Sequence, residues 1–281
     1  MSDVRLPDGS NWLVKGIRTN WITIVIFIVL LVALAIFVPA FYQPANLLNV
    51  ARQSSIVGVV AIGMTFVILT GGIDLSVGSI LALSGVAMAM LINQGMVPGV
   101  AILIALLVGV ATGIVNGIVV AVLKIQPFIA TLASMVAITG LALRLTNGGP
   151  QPFNNIGDVF NFLGSGNVFG LPGPFLVFLI VAVIGILVLR YLPFGRFLYA
   201  IGGSPEAARL TGVPTRRTLV MAYAVSGLTA ALAGVMTASR LGVGAPTAGG
   251  LANLDAITAV VIGGTSLMGG PGGAAGTVFG A

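Results

Sequence analysis

The sequence predicts an all-α polytopic membrane protein with about eight transmembrane helices in this chain. Three observations carry that reading. Of 281 residues, 58% are hydrophobic and only 6% are charged, against about 25% charged in soluble domains. The apolar residues lie in long continuous runs, each close to the ~20 residues that cross hydrocarbon as a helix. Glycine is abundant, at 40 residues, as suits helices that pack closely in lipid, where little hydrophobic force acts between them. A β-barrel is excluded by the same runs, since barrel strands alternate over about ten residues.

The elements follow in order. Residues 1–20 are polar and form an N-terminal segment with Arg5, Lys15 and Arg18. A first, uncleaved span covers about 21–38, with Trp21 suited to an interface. Pro39–Asn49 reads as a short loop. Further apolar segments run at about 53–70, 75–93, 98–123, 126–146, 174–192, 218–239 and 252–268. The last residues, Gly276–Ala281, read as the opening of another span. The chain is therefore expected to be truncated, with 9–10 spans in a complete protein.

Basic residues set the expected orientation. With the N-terminus in the cytoplasm, Lys124 and the segment Arg190–Arg217, with its five arginines, fall inside. The outer loop of about 147–173 then holds no Lys or Arg and a single charge, Asp158. Arg52, Arg144 and Arg240 fall at outer ends against the trend. The net charge of +6 is dispersed in this way along helix ends, so nucleic acid is not an expected partner.

Several chemistries are excluded. The chain has no Cys and no His, which removes thiol nucleophiles, disulfides, ordinary zinc sites and His-based acid–base work. Its two lysines, Lys15 and Lys124, follow no phosphate-binding glycine loop, so the chain is not expected to bind ATP. No cofactor or metal is expected on it, and no catalytic residues stand out.

Three motifs remain. Thr70–Ser79 reads TGGIDLSVGS and interrupts two apolar segments with a glycine pair and a carboxylate. Asp74 either caps the following helix or, with Ser76 and Ser79, lines a transport path through a broken helix. Gly109, Gly113 and Gly117 form a tandem G-x-x-x-G that predicts a close helix crossing. Asn116 beside them either meets a substrate hydroxyl or bonds a neighbouring helix. Arg196–Gly212 reads RFLYAIGGSPEAARLTG. There Ser204-Pro205 starts a short surface helix, Glu206 sits in its first turn, Arg209 follows, and Gly212 with Pro214 ends it.

Glu206-Ala207-Ala208-x-x-x-Gly212 in an inner loop of about 193–217 resembles the EAA loop of bacterial ATP-binding-cassette importer permeases. Four separated blocks extend the resemblance to the ribose-type sugar permeases: Gly63–Gly85, Asn116–Met135, Gly195–Gly212 and Val260–Ala281. Together they span about residues 40–281; Met1–Asn20 matches nothing. The resemblance implies a permease domain over 21–281 in the bacterial inner (plasma) membrane, translocating a monosaccharide of ribose type. It implies a second permease subunit, cytoplasmic ATPase subunits that bind the ATP, and a periplasmic sugar-binding protein. It places Glu206, Ala207, Ala208, Arg209 and Gly212 at the ATPase contact. The long outer loop is the expected contact of the binding protein. The alternative is a secondary transporter or channel working without ATPases. Its intramembrane titratable candidates are only Asp74 and Asp255.

Overall fold

The computed structural model describes Val25, Val29 and residues 32–34, 36–154, 157–168 and 170–281. The N-terminal segment 1–20 and Trp21 lie outside the described residues. The chain divides into two units, Met1–Val50 and Ala51–Ala281. In the first, a 3-10 turn at Pro39–Tyr42 leads into helix α1, Pro44–Ile68, most of which belongs to the second. The side-chain amide of Asn46 donates to the Phe41 carbonyl at 2.9 Å. The loop expected to reach Asn49 is thus shorter, because Pro44 already opens the helix.

Proline recurs at helix starts, where its fixed φ fits and its missing N–H costs nothing. It opens α3 (Pro98–Ala121), α4 (Pro127–Leu145), α6 (Gly173–Tyr191), α7 (Pro193–Gly203) and α8 (Pro205–Leu210). Between these lie α2 (Val77–Asn93) and the short α5 (Asp158–Gly164); α9 (Thr215–Leu241), α10 (Ala252–Ile262) and α11 (Ala274–Gly280) follow. Among the described residues, α1, α3, α4, α6 and α9 are long and apolar enough to cross a membrane, with 19 to 27 residues each. The protein is an all-α polytopic membrane protein.

Helix α9 organises the second unit. The α3 glycines lie against its backbone: a Cβ added to Gly113 would fall on the Tyr223 carbonyl, and one added to Gly117 would lie 2.6 Å from Val220 Cα. Gly109 meets Gly227 and Ala231 in the same way. The tandem G-x-x-x-G is therefore a close crossing, as expected. On another side of α9, Gly234 seats on the backbone of α2 at Leu81, and Gly85 lies against Gly234 and Ala238.

The outer loop of the sequence reading carries small structure of its own. Strand β1 (Gln151–Pro152) pairs antiparallel with β4 (Val243–Gly244), and β2 (Asn167–Val168) with β3 (Leu171–Pro172). Arg52 of α1 donates to the Asn167 side chain at 2.9 Å and to the Ser165 carbonyl at 3.2 Å. Arg52, within the first half of α1, thus holds this loop.

Two stretches leave helical geometry inside the bundle. The first is Thr70–Ser76, with Gly71 at φ +78°. The second follows α9, which ends on left-handed Gly242 at φ +66°. From there the chain runs back along α2 without helix. Gly244 lies against Gly85, Val86 and Ala89, and Gly249 against Gly78. Only then does α10 begin. The segment 252–268, expected as one span, is a helix of 11 residues, about 16 Å long, or half the ~30 Å hydrocarbon thickness. It stops at Gly263 because Gly264 turns left-handed at φ +86°. Gly263 packs on Gly276, and Gly280 on Ala259, so α10 and α11 form a glycine-lined pair.

The α3–α9 crossing gives a direct stability test. Gly113→Val forces side-chain atoms into the Tyr223 backbone and should cost about 1–3 kcal/mol, as overpacking generally does. Gly140→Ala, with open space around it inside α4, should be neutral or stabilising by up to about 1 kcal/mol. Thermal unfolding in detergent checks both, and equal melting of Gly113→Val and wild type would refute the crossing.

Candidate functional site

The sequence motif around Asp74 folds into a closed polar cluster. Asp74 and Ser76 are 0% exposed and Asn116 is 2% exposed. One carboxylate oxygen of Asp74 accepts from the Ser76 backbone N–H at 3.0 Å and from the Ser76 hydroxyl at 2.6 Å. The other accepts from the Ser226 hydroxyl of α9 at 2.8 Å. The Asn116 amide of α3 donates to Ser76 Oγ at 2.8 Å. Each side chain thereby finds the partner that burial demands, and three segments are tied together.

Asp74 does not cap α2 by reaching its N2 or N3 amide. It closes an Asx turn two residues on, which fixes the non-helical backbone just before the helix. Thr131 of α4 completes the repair. Its hydroxyl accepts from Leu75 N–H at 3.1 Å and lies 3.1 Å from the Ile73 carbonyl. Sequence reading missed both Ser226 and Thr131. Ser226 lies 152 residues from Asp74, and neither residue carries a local signal.

Of the four expected path residues, Ser79 lines a cavity, and Asp74, Ser76 and Asn116 do not. Ser79 sits one turn beyond the cluster, with its hydroxyl donating to the Ser76 carbonyl at 2.8 Å. The cavity, of about 270 Å³, opens beside it. Gly78, Ser79 and Ala82 of α2 form one wall, Met135 and Thr139 of α4 a second, and Pro246, Thr247, Gly249, Gly250 and Asn253 a third. Two helices begin here: α2 at Val77 and α10 at Ala252. Each directs the positive end of its dipole and its first free N–H groups to this region.

The lining contains hydroxyls, an amide and backbone, with no Asp, Glu, Lys or Arg among its described residues. Ala82, Met135 and Pro246 supply apolar patches between them. Such a surface can take a neutral molecule bearing several hydroxyls: polar groups orient it and apolar patches cover its C–H faces. The volume is close to the lower end of small-molecule sites, about 300 Å³.

The surface helix expected after Ser204 is α8. Ser204 Oγ accepts from Ala207 N–H at 3.3 Å as N-cap. Glu206 pairs with Arg209 at 2.7 Å, both exposed. The bond and charge of Arg209 hold the Glu206 carboxyl below its usual pKa. Gly212 turns the chain at φ +85°, where a side chain would be strained. Ala208, expected at the ATPase contact, is 3% exposed and lies on the inner side of α8. The outward face is Glu206, Ala207, Arg209 and Leu210, the last 75% exposed. The sequence reading also missed α7, taking 193–203 as loop.

Residues 46–281 match the family described as branched-chain amino acid transport system / permease component. The chain is 48% identical to the ribose import permease protein of Bacillus subtilis, over 90% of this chain and 78% of that protein. It is 42% identical to the ribose import permease protein of Haemophilus influenzae, over 98% and 85%. It is 32% identical to the xylose transport system permease protein of Escherichia coli, over 100% and 88%. No solved structure matches.

Ser226→Ala should leave one oxygen of a buried carboxylate without its donor, at a cost of about 1–3 kcal/mol. In a thermal-unfolding cycle with Asp74→Ala the two losses should be strongly non-additive, since they share one interaction. Additive losses would mean that the cluster does not act as a unit.

Proposed function

This chain belongs to the family of transport-system permease components, and we propose that within it the chain is the membrane-spanning subunit of an ATP-driven monosaccharide importer. The observation that carries the substrate class is the cavity at Ser79, Thr139, Thr247 and Asn253. The family description names branched-chain amino acids, but an amino acid's ammonium would find no carboxylate in that lining. A pentose needs only hydroxyl, amide and backbone partners. The names of the ribose and xylose relatives support the same choice.

ATP is bound and split on cytoplasmic ATPase subunits. They dock on the exposed face of α8, where Glu206 and Arg209 offer a paired charge and Ala207 and Leu210 an apolar contact. A second permease subunit completes the pathway. A periplasmic binding protein delivers the sugar to the loop of residues 147–173. The protein lies in the bacterial inner membrane with its N-terminus in the cytoplasm, which puts the basic segment 190–217 inside. Transport proceeds by alternating access: ATP-driven movement of the docked helices opens the cavity to each side in turn. A carrier without ATPases would need a titratable group free to exchange protons. Of the two candidates, Asp74 is instead engaged on both oxygens by Ser76 and Ser226; Asp255 is not in the cavity lining.

Uptake of labelled ribose into proteoliposomes holding the complete complex tests the proposal. Ser79→Ala and Asn253→Ala should each lower uptake about tenfold, one hydrogen bond's worth of ~1.4 kcal/mol, at unchanged protein abundance. Normal uptake in both variants would remove the cavity from the path. Uptake of leucine in place of any monosaccharide would overturn the substrate class.

A further inference from the structure

We infer that a backbone junction of Gly202, Leu69 and Gly270 transmits movement of the docking helices to two of the three walls of the cavity; the inference rests on the importer reading above. Helix α7 precedes α8 directly, with only Ser204 between them. It is fixed to the bundle by Leu198 and Ile201, both buried, and by Phe194, whose ring stacks on Phe66 of α1 at 5.9 Å. At its end, Gly202 touches two other stretches of main chain at once. A Cβ added there would fall on the Leu69 carbonyl and lie 2.5 Å from Gly270 N.

Those two stretches are themselves bonded. Gly270 N–H donates to the Leu69 carbonyl at 3.1 Å. A Cβ on Gly269 would lie 2.8 Å from Gly71 N and 3.1 Å from Gly202 Cα. One turn earlier on α7, the Tyr199 hydroxyl donates to the Gly272 carbonyl at 3.0 Å. Three backbones therefore meet with no side chain between them. Side chains absorb displacement by changing rotamer; main chain in direct contact does not, so a shift of α7 must move its neighbours.

Each neighbour leads to the cavity. From Leu69 the chain passes through Gly71 and the Asp74 cluster to Ser79. From Gly270 it runs back to α10, a rigid helix whose first turn holds Asn253. The junction thus lies between the docking surface and the two elements, α2 and α10, whose first turns carry part of the lining. Its glycines are required by close approach and not by turn geometry alone: Gly202 is helical, and alanine is otherwise favoured in a helix.

Gly203 next to it supplies the control, being exposed and with open space around its added Cβ. The experiment compares Gly202→Ala, Gly203→Ala and Tyr199→Phe in the complete reconstituted complex. It measures ATPase co-purification, ATP hydrolysis and ribose uptake, with the ratio of uptake to hydrolysis as readout. Gly202→Ala should retain the ATPase subunits and hydrolyse ATP while that ratio falls about fivefold or more, the lower end of typical coupling between linked sites. Tyr199→Phe, which removes one hydroxyl from the junction, should lower the ratio less. Gly203→Ala should match wild type. A wild-type ratio in both Gly202→Ala and Tyr199→Phe overturns the inference, as does an equal fall in Gly203→Ala. If Gly202→Ala loses the ATPase subunits altogether, Tyr199→Phe decides alone: a lowered ratio supports the junction and a wild-type ratio overturns it. Absence of ATP-driven ribose uptake by the wild-type complex would instead strike the importer reading.

Discussion

Inside a bilayer a peptide group without a partner costs several kcal/mol, and among the described residues two stretches packed inside the bundle, Thr70–Ser76 and 242–251, leave helical geometry. Much of the second unit can be understood as the means of meeting that cost. At Thr70–Ser76 the loose main chain is satisfied by side chains from elsewhere: Thr131 of α4 serves Leu75 and lies close to Ile73, and Asp74 holds Ser76. At residues 242–251 it is met by a strand pair with Gln151–Pro152 and by short turns such as Ala248 N–H to Ala245 and Gly250 N–H to Thr247. Irregular backbone at this depth is tolerated where protein buries it or where it lines a cavity. Here the first break is buried by protein, and the second lines the cavity, which opens one turn beyond the first.

Glycine makes the arrangement possible in two distinct ways. In α3, α9 and α2 it removes side chains so that helix backbones touch, which lets α9 lie against two partners at once. At Gly71, Gly242 and Gly264 it supplies the left-handed residues that stop or redirect the chain. The first use builds a rigid frame, and the second places two helix starts within it. Their polar ends and the hydroxyls of Ser79, Thr139 and Thr247 then form a surface suited to a neutral, hydroxyl-rich molecule.

How much of this was legible in the sequence depended on the range of the interaction. The membrane class, the close crossing of α3 and the surface helix after Ser204 rest on local composition and spacing, and each appears in the structure. The break at TGGIDLSVGS was also legible, because a glycine pair and a carboxylate interrupt an apolar run. The partners of Asp74 were not: Ser226 becomes its neighbour only through the α3–α9 packing. Residues 252–268 read as a single span because hydropathy sums over side chains and does not register Gly263-Gly264 as a stop. The return of the chain along α2 had a signal in GVGAPTAGG, whose glycines and proline disfavour helix. Its depth within the bundle, however, is a property of packing alone. The burial of Ala208 was not legible for a related reason: which side of a six-residue helix faces inward is set by what lies beneath it.

The central claim is that the two helix starts enclose a solvent-reached, sugar-sized site. These 281 residues contain no cysteine, so labelling of each single-cysteine variant is read as the increment over the unsubstituted transporter. The decisive measurement is labelling of Ser79→Cys, Thr139→Cys, Thr247→Cys and Asn253→Cys in the assembled transporter by a small hydrophilic thiol reagent, with and without ribose and its binding protein under turnover. The account predicts labelling at all four positions and protection by the sugar, with Ala105→Cys and Ala231→Cys in the packed core unreactive. Core-like silence at Thr247 and Asn253, or labelling at all four sites that ribose leaves unchanged, would contradict it.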